Sequence, residues 1–329
     1  MNQRQRGSLG LGVFLFAALP MIGCCIHING GPQFKARRQD QLSSAAGPDA
    51  SLAVRTDFGS ITVTGGDAGE CRVTAEVTAH APTQEEAEEI LGKVKVVLET
   101  TAGGLSLHVD KPTLVGNRSV GASFTVTVPA RTALDCHTSF GSICIQDITA
   151  SVKAHTSFAS VTANRVRGPL HLTTSHGAIR GDQITSDNVF AESSFGNVEL
   201  TYASPDANGT DPARGSLEAR TSFGSITCRE VAEGRILAHT SFGSVHIECL
   251  ASAPPALQLE AGTSHGSITC QVPPGFAGQV RLDTSLGEVR TERSILVQGS
   301  LGRDHLDGTI GEGEGRVRLK TEFGSITLR

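Results

Sequence analysis

Eight serines stand at one recurring position: Ser139, Ser157, Ser175, Ser194, Ser222, Ser241, Ser264 and Ser285. A nucleophilic serine needs a base beside it and a third group that orients the base. Eight equivalent serines suit a hydrogen-bond ladder and a repeated corner instead. His137, His155 and His239 share a second recurring position, on the outward side of the pattern. His137 and His155 fall in consecutive repeats, so they are the candidate start of a metal site. The spacing fixes no third ligand, and no cofactor is expected. His176 and His265 stand where other copies carry Phe, and a corner histidine bonded to backbone is expected there. Asp182, Asp187, Glu192 and Glu199 lie close together in the chain. Polysaccharide cleavage needs paired carboxylates at a defined separation. These four do not recur in a cleft-like pattern, so the chain is expected not to be an enzyme. With no Trp and a single Tyr, Tyr202, platforms for stacking sugars are nearly absent.

Cys228 and Cys270 occupy one inward position two repeats apart. At about 4.8 Å per strand the gap is roughly 10 Å, too long for a disulfide. Cys136 is also inward and Cys144 outward. The inward thiols read as small buried hydrophobes.

The elements that position these residues follow from one phrase, Thr-Ser-Phe-Gly-Ser-Ile. It appears first at Phe58-Gly59 and then around Phe140-Gly141, Phe158, Gly177, Phe195-Gly196, Phe223-Gly224, Phe242-Gly243, Gly266, Gly287 and Phe323-Gly324. From Gly141 through Ala159 and Gly177 to Gly196 the steps are 18, 18 and 19 residues. A fixed period means stacked units. Within one unit Leu134, Cys136, Thr138 and Phe140 alternate with polar neighbours, which predicts a strand with one buried face. Ile143 and Ile145 then follow at an odd step, so Gly141-Ser142 must turn a corner. The expected fold is all-β: a parallel β-solenoid of roughly 18–20-residue rungs, with inward columns of Leu/Val, Ala, Thr and Phe.

Residues 1–23 have a basic start, Arg4 and Arg6, and an apolar run over 9–19 that is short for a membrane span. The run ends Leu19-Pro20-Met21-Ile22-Gly23-Cys24. This resembles the lipobox of bacterial lipoproteins, with Met21 where Leu is usual. The resemblance implies lipidation of Cys24. Residues 24–50 lack any period and are rich in Gly, Gln, Ser and charge, which predicts a flexible tether. Residues 51–130 hold the first repeat strand and an insert. In it 71–78 alternates as a strand, Thr83-Gln84-Glu85-Glu86 is a capping box, and Ala87, Ile90, Leu91 and Val94 have helical spacing. Strands are also predicted at 94–98, 105–109 and 124–128. This small α+β insert is the expected N-terminal cap. Residues 131–329 are the repeats. The surplus between Gly196 and Gly224 predicts a surface loop at 204–212, and Gly299-Ser300-Leu301-Gly302 reads as a degenerate unit followed by a loop over 308–315. The chain stops after Leu328 with no apparent cap, which predicts an open edge for self-association.

The order of leader, early Gly-Ser-Ile strand, strand-helix-strand insert, Val128-Pro129-Ala130 step and tandem units resembles the bacterial "putative adhesin" family, over roughly residues 50–329. The resemblance implies an exported, repetitive protein and carries no catalytic residue across. The formal net charge of -5, mixed in sign, excludes a basic nucleic-acid footprint. The expectation is a lipid-anchored cell-envelope protein with an adhesion-type or scaffold surface. The membrane would be reached through the lipid, and a surface glycan or a protein would be the partner. The alternatives are a cell-surface carbohydrate-active enzyme and an envelope sensor or assembly module using the open edge.

Overall fold

The structure, a computed structural model, describes residues 34–47, 49–67, 69–203 and 215–329. The leader, Cys24 and the loop expected at 204–212 lie outside the described residues. The N-terminal block runs β1 (Phe34–Ala45), β2 (Ser51–Phe58), β3 (Ile61–Gly66), β4 (Glu70–Ala81), α1 (Gln84–Lys93), β5 (Lys95–Thr101), β6 (Gly104–Asp110) and β7 (Ser119–Pro129). Units of two strands follow: β8 (Ala133–Phe140) with β9 (Ile143–Gln146), β10 (Val152–Thr156) with β11 (Val161–Asn164), and β12 (Leu170–Thr174) with β13 (Ile179–Ile184). Next come β14 (Asn188–Ser193) with β15 (Val198–Tyr202), and β16 (Ser216–Phe223) with β17 (Ile226–Val231). After these come β18 (Arg235–Phe242) with β19 (Val245–Cys249), and β20 (Gln258–His265) with β21 (Ile268–Gln271). The C-terminal part holds β22 (Gly278–Leu286), β23 (Val289–Thr291), β24 (Leu296–Leu301), β25 (His305–Ile310), β26 (Gly315–Phe323) and β27 (Ile326–Leu328).

Each unit gives its first strand to a fourteen-stranded sheet and its second to a thirteen-stranded sheet, both mostly parallel. Equivalent residues of successive units are register partners, as in Val152 with Leu134 and Leu170, or Val161 with Ile143 and Ile179. The period-two pattern sends Leu134, Cys136 and Thr138 inward from one sheet and Ile143 and Ile145 inward from the other, all buried. The inward side chains of both sheets form one core. The early repeat copy joins the same stack, since β2 pairs with β8 and β3 with β9. The insert lies beyond it. Strands β6 and β7 add in parallel to β2 and β3, and β4, β1 and β5 then close that end with antiparallel ladders. Helix α1 has the expected cap, with the Thr83 side chain accepting from the Glu86 N–H at 3.2 Å.

Three expectations need correction. The tether over 24–50 does not hold at Phe34–Ala45, a strand paired along its whole length with β4. Its Ala36 is buried and Arg38 bonds the Leu91 and Val94 carbonyls, so β1 is fastened to the end of α1. The degenerate unit is an antiparallel hairpin, β24–β25, laid on β22, and Gly308 sits within β25 rather than in a loop. The open edge at Leu328 is absent, because β27 has β21 on one side and β23 on the other. The last unit in sequence is therefore the second-to-last in space.

Candidate functional site

The recurring phrase resolves into three jobs at one corner. Its Thr is buried, and its hydroxyl donates to the corner carbonyl of the neighbouring unit: Thr156 to Gly141 O at 2.9 Å, Thr221 to Gly196 O at 2.9 Å, Thr240 to Gly224 O at 2.8 Å and Thr321 to Gly266 O at 2.8 Å. A polar group taken out of water is thus satisfied in every unit. The Gly lets adjacent corners approach. Gly243 has φ 157°, and a Cβ there would lie 2.1 Å from the Gly224 O. The Ser after the Gly makes the side-chain ladder, with Ser225 Oγ accepting from Ser244 N–H at 3.2 Å and Ser244 Oγ from Ser267 N–H at 3.3 Å. The serine column singled out in the sequence acts instead through its backbone, as when Ser139 O accepts from Phe158 N–H at 3.0 Å.

The Phe column does not point inward. Phe58, Phe140, Phe158, Phe195, Phe223, Phe242 and Phe323 are all about half exposed, from 43% to 51%. The inner corner is taken up by the Thr–Gly contact, which leaves no room for a ring. The rings instead stack on one another along the edge at 4.7–5.0 Å, nearly parallel. His176 and His265 complete this column between Phe rings, at 4.7–4.9 Å, rather than serving as backbone-bonded corners. Within the column each ring face is covered by the next ring, and at its ends Phe58 has the Lys111 ammonium 6.0 Å from its centroid and Phe323 has Leu286 as its register neighbour, so the inner rings offer their edges to solvent.

His137 and His155 do stand side by side, with ring centroids 4.8 Å apart. His155 Nδ1 lies 2.8 Å from Thr173 Oγ1. Burial, then His155 and Arg55, holds His137 below the ordinary histidine pKa. No group of three or more His, Cys, Asp or Glu residues able to hold a metal occurs among the described residues. The third histidine of that position, His239, has Arg220 and Gly262 as neighbours. The four carboxylates are not brought together: Asp182 and Glu199 are on the thirteen-stranded sheet and Glu192 on the other, while Asp187 precedes β14. The inward thiols Cys136, Cys228 and Cys270 are buried, as expected, and burial pushes Cys136 and Cys228 up to about 12.

A cleft of about 520 Å³ lies on the outer face of β14, β16, β18 and β20. Glu192, Arg220 and His239 are register neighbours there, and Glu260 and the serines Ser222 and Ser241 complete the polar lining. The His239 ring lies over the buried Gly262, where a Cβ would come within 2.6 Å of His239 Cε1. A second cleft, about 210 Å³, lies beneath the insert, where Arg55 is paired with Asp135 and Lys111 with Asp57. Of the first cleft's residues, sequence reasoning singled out Glu192, His239, Ser222 and Ser241 separately, missed Arg220 and Glu260, and did not bring the six together, because they meet only through the register.

Two polar groups interrupt the core near the surplus between Gly196 and Gly224. Tyr202 stands in an aliphatic column, as the register partner of Ile184, and its buried hydroxyl has no hydrogen-bond partner among the described residues. Glu233 is 5% exposed, and its Oε2 has no hydrogen-bond partner among the described residues. Burial first, then the charge of Asp187, raises its pKa to about 7.

No family model matches this chain, and no curated protein matches it. Three solved bacterial structures show a likeness. A "putative cell adhesion protein" from Clostridium sporogenes is 10% identical, with 88% of this chain and 98% of that one covered and a TM-score of 0.23. A "putative adhesin" from Parabacteroides distasonis is 10% identical over 88% and 96%, with a TM-score of 0.37. Another from Bacteroides fragilis is 13% identical over 88% and 97%, with a TM-score of 0.29. Likeness at this level assigns no function.

Proposed function

We propose that this chain is a non-enzymatic, lipid-anchored, adhesion-type protein of the bacterial cell envelope. Its two sheets are the walls of a β-solenoid, and the outer face of the fourteen-stranded wall is the binding surface. The observation that carries this reading is the polar cleft over β14–β20, held on strands whose register repeats from unit to unit. Carboxylates, a guanidinium and hydroxyls suit a ligand that is itself rich in hydroxyl and amide groups, as a surface glycan is. The insert and the paired strand β1 cap one end. The chain before β1 carries the leader and Cys24, which tie that end to a membrane.

The test is a glycan array, run with a hydrolysis screen, on the chain beginning at residue 26. Retention of a glycan, lost on Arg220→Ala or Glu260→Ala and without turnover, is expected. Turnover of a polysaccharide that disappears on Glu192→Gln would make the chain an enzyme. The anchor is tested separately: Cys24→Ser should release the full chain from the membrane fraction, and unchanged partitioning contradicts the lipid.

A further inference from the structure

We propose that the C-terminal unit, residues 315–328, is an exchangeable insert through which two copies of this chain swap strands. In every earlier repeat, consecutive units are neighbours. At the end the order breaks: β22 and β23 come next in sequence after β20 and β21, yet β26 and β27 sit between them. The slot they fill is walled on both sides by chain that precedes them, so the slot closes only when residues 315–328 arrive.

The two candidate occupants of the place beside β20–β21 are equivalent position by position. Val280 pairs with Val317, Leu282 with Leu319, Thr284 with Thr321, Leu286 with Phe323 and Val289 with Ile326. Thr321 donates to the Gly266 carbonyl at 2.8 Å, and Thr284 makes the same bond to the Gly324 carbonyl at 2.8 Å. A Cβ at Gly324 would lie 2.1 Å from Gly266 O, and one at Gly287 would lie 1.9 Å from Gly324 O, so both glycines are built for the same corner. With the last unit withdrawn, β22–β23 can settle on β20–β21 in the same register. With it inserted, the stack is one unit longer, and the added unit has a ladder on both sides.

A segment that fits a slot in its own chain fits the identical slot of a second copy, and no new surface is needed. The connection that must open is short and outside the sheets: residues 311–314 are exposed, and Gly311 has φ 60°. Two copies that each lend residues 315–328 to the other keep every ladder described above. This association uses a strand inserted into the stack, not a bare edge at the chain end.

Thr269 and Thr327 are register partners on β21 and β27 and report which chain supplies the insert. The full chain carrying Thr269→Cys and Thr327→Cys is refolded at low and high concentration, oxidised and run on a denaturing gel without reductant. The proposal expects an intrachain bond at low concentration and a covalent dimer at high concentration, absent from either single variant. The dimer fraction of the unmodified chain, followed by light scattering, should rise over the same concentrations. Failure of both chains to form any dimer overturns the proposal. So does a dimer that separates on the gel into chains closed by their own bond.

Discussion

At the scale of single residues, the column of rings shows how far a sequence pattern reaches. Alternation places Leu134, Cys136 and Thr138 correctly, but it cannot say at which residue a corner begins, and Phe140 falls one step beyond the last inward side chain. The consequence is energetic. A buried Phe truncated to Ala costs about 3–5 kcal/mol. Phe223 is 50% exposed and touches Phe195 and Phe242 by stacking, so Phe223→Ala should cost about 1–2 kcal/mol. Chemical denaturation gives the number, and a loss in the buried range would restore the inward placement. Glu233 makes a second test. Its folded pKa of about 7 lies above the ordinary 4.5, so the folded state binds the proton more tightly. The stability it contributes is full below about pH 4.5 and is lost as pH rises through about 7. Glu233→Gln should remove that part of the pH dependence, and an unchanged difference in stability between pH 4.5 and 8 contradicts it. His137 acts in the opposite direction: its pKa is lowered, so its cost appears as pH falls below 6.5, and it stays in both chains of the comparison.

At the scale of elements, the capping box, α1 and the strands of the insert were legible because each carries a local signal. The corner before Ile148 was not. Asp147, Arg165, Gln183 and Glu230 turn it with φ between 52° and 59°, and none is the Gly or Asn that marks such a place in a sequence. Only their equivalence in the stack reveals the corner, and an ion pair from Arg165 to Asp147 spans two of its members. The Gly corner is legible, yet it comes in two forms. Gly59, Gly243, Gly266 and Gly324 have positive φ, whereas the position held by Ala159 does not. Gly243→Ala should therefore cost about 2–4 kcal/mol by strain and by contact with the Gly224 carbonyl, although Ala is native at the equivalent position 159. A thermal shift within error of the parent would mean the two corner forms are interchangeable.

At the scale of the whole molecule, a period near eighteen residues was enough to predict stacked strands in register. It could not predict their order at the C-terminus, because units with the same inward pattern fit either place. The polar cleft was hidden for a related reason: Glu192, Arg220, His239 and Glu260 become neighbours only when units separated in sequence are aligned. The claim beneath all of this is one continuous stack with the last unit threaded inward. Lys153, Glu260, Arg318 and Arg281 lie in a single row across the fourteen-stranded sheet, through the register of each intervening strand. At about 4.8 Å per strand, the backbone at Lys153 lies roughly 24 Å from Glu260, 29 Å from Arg318 and 34 Å from Arg281. Pairs of spin labels at these sites, read by pulsed dipolar spectroscopy, should give distances that increase in that order. A label at Arg281 closer to Lys153 than one at Arg318, or three distances with no regular increment, would contradict the account.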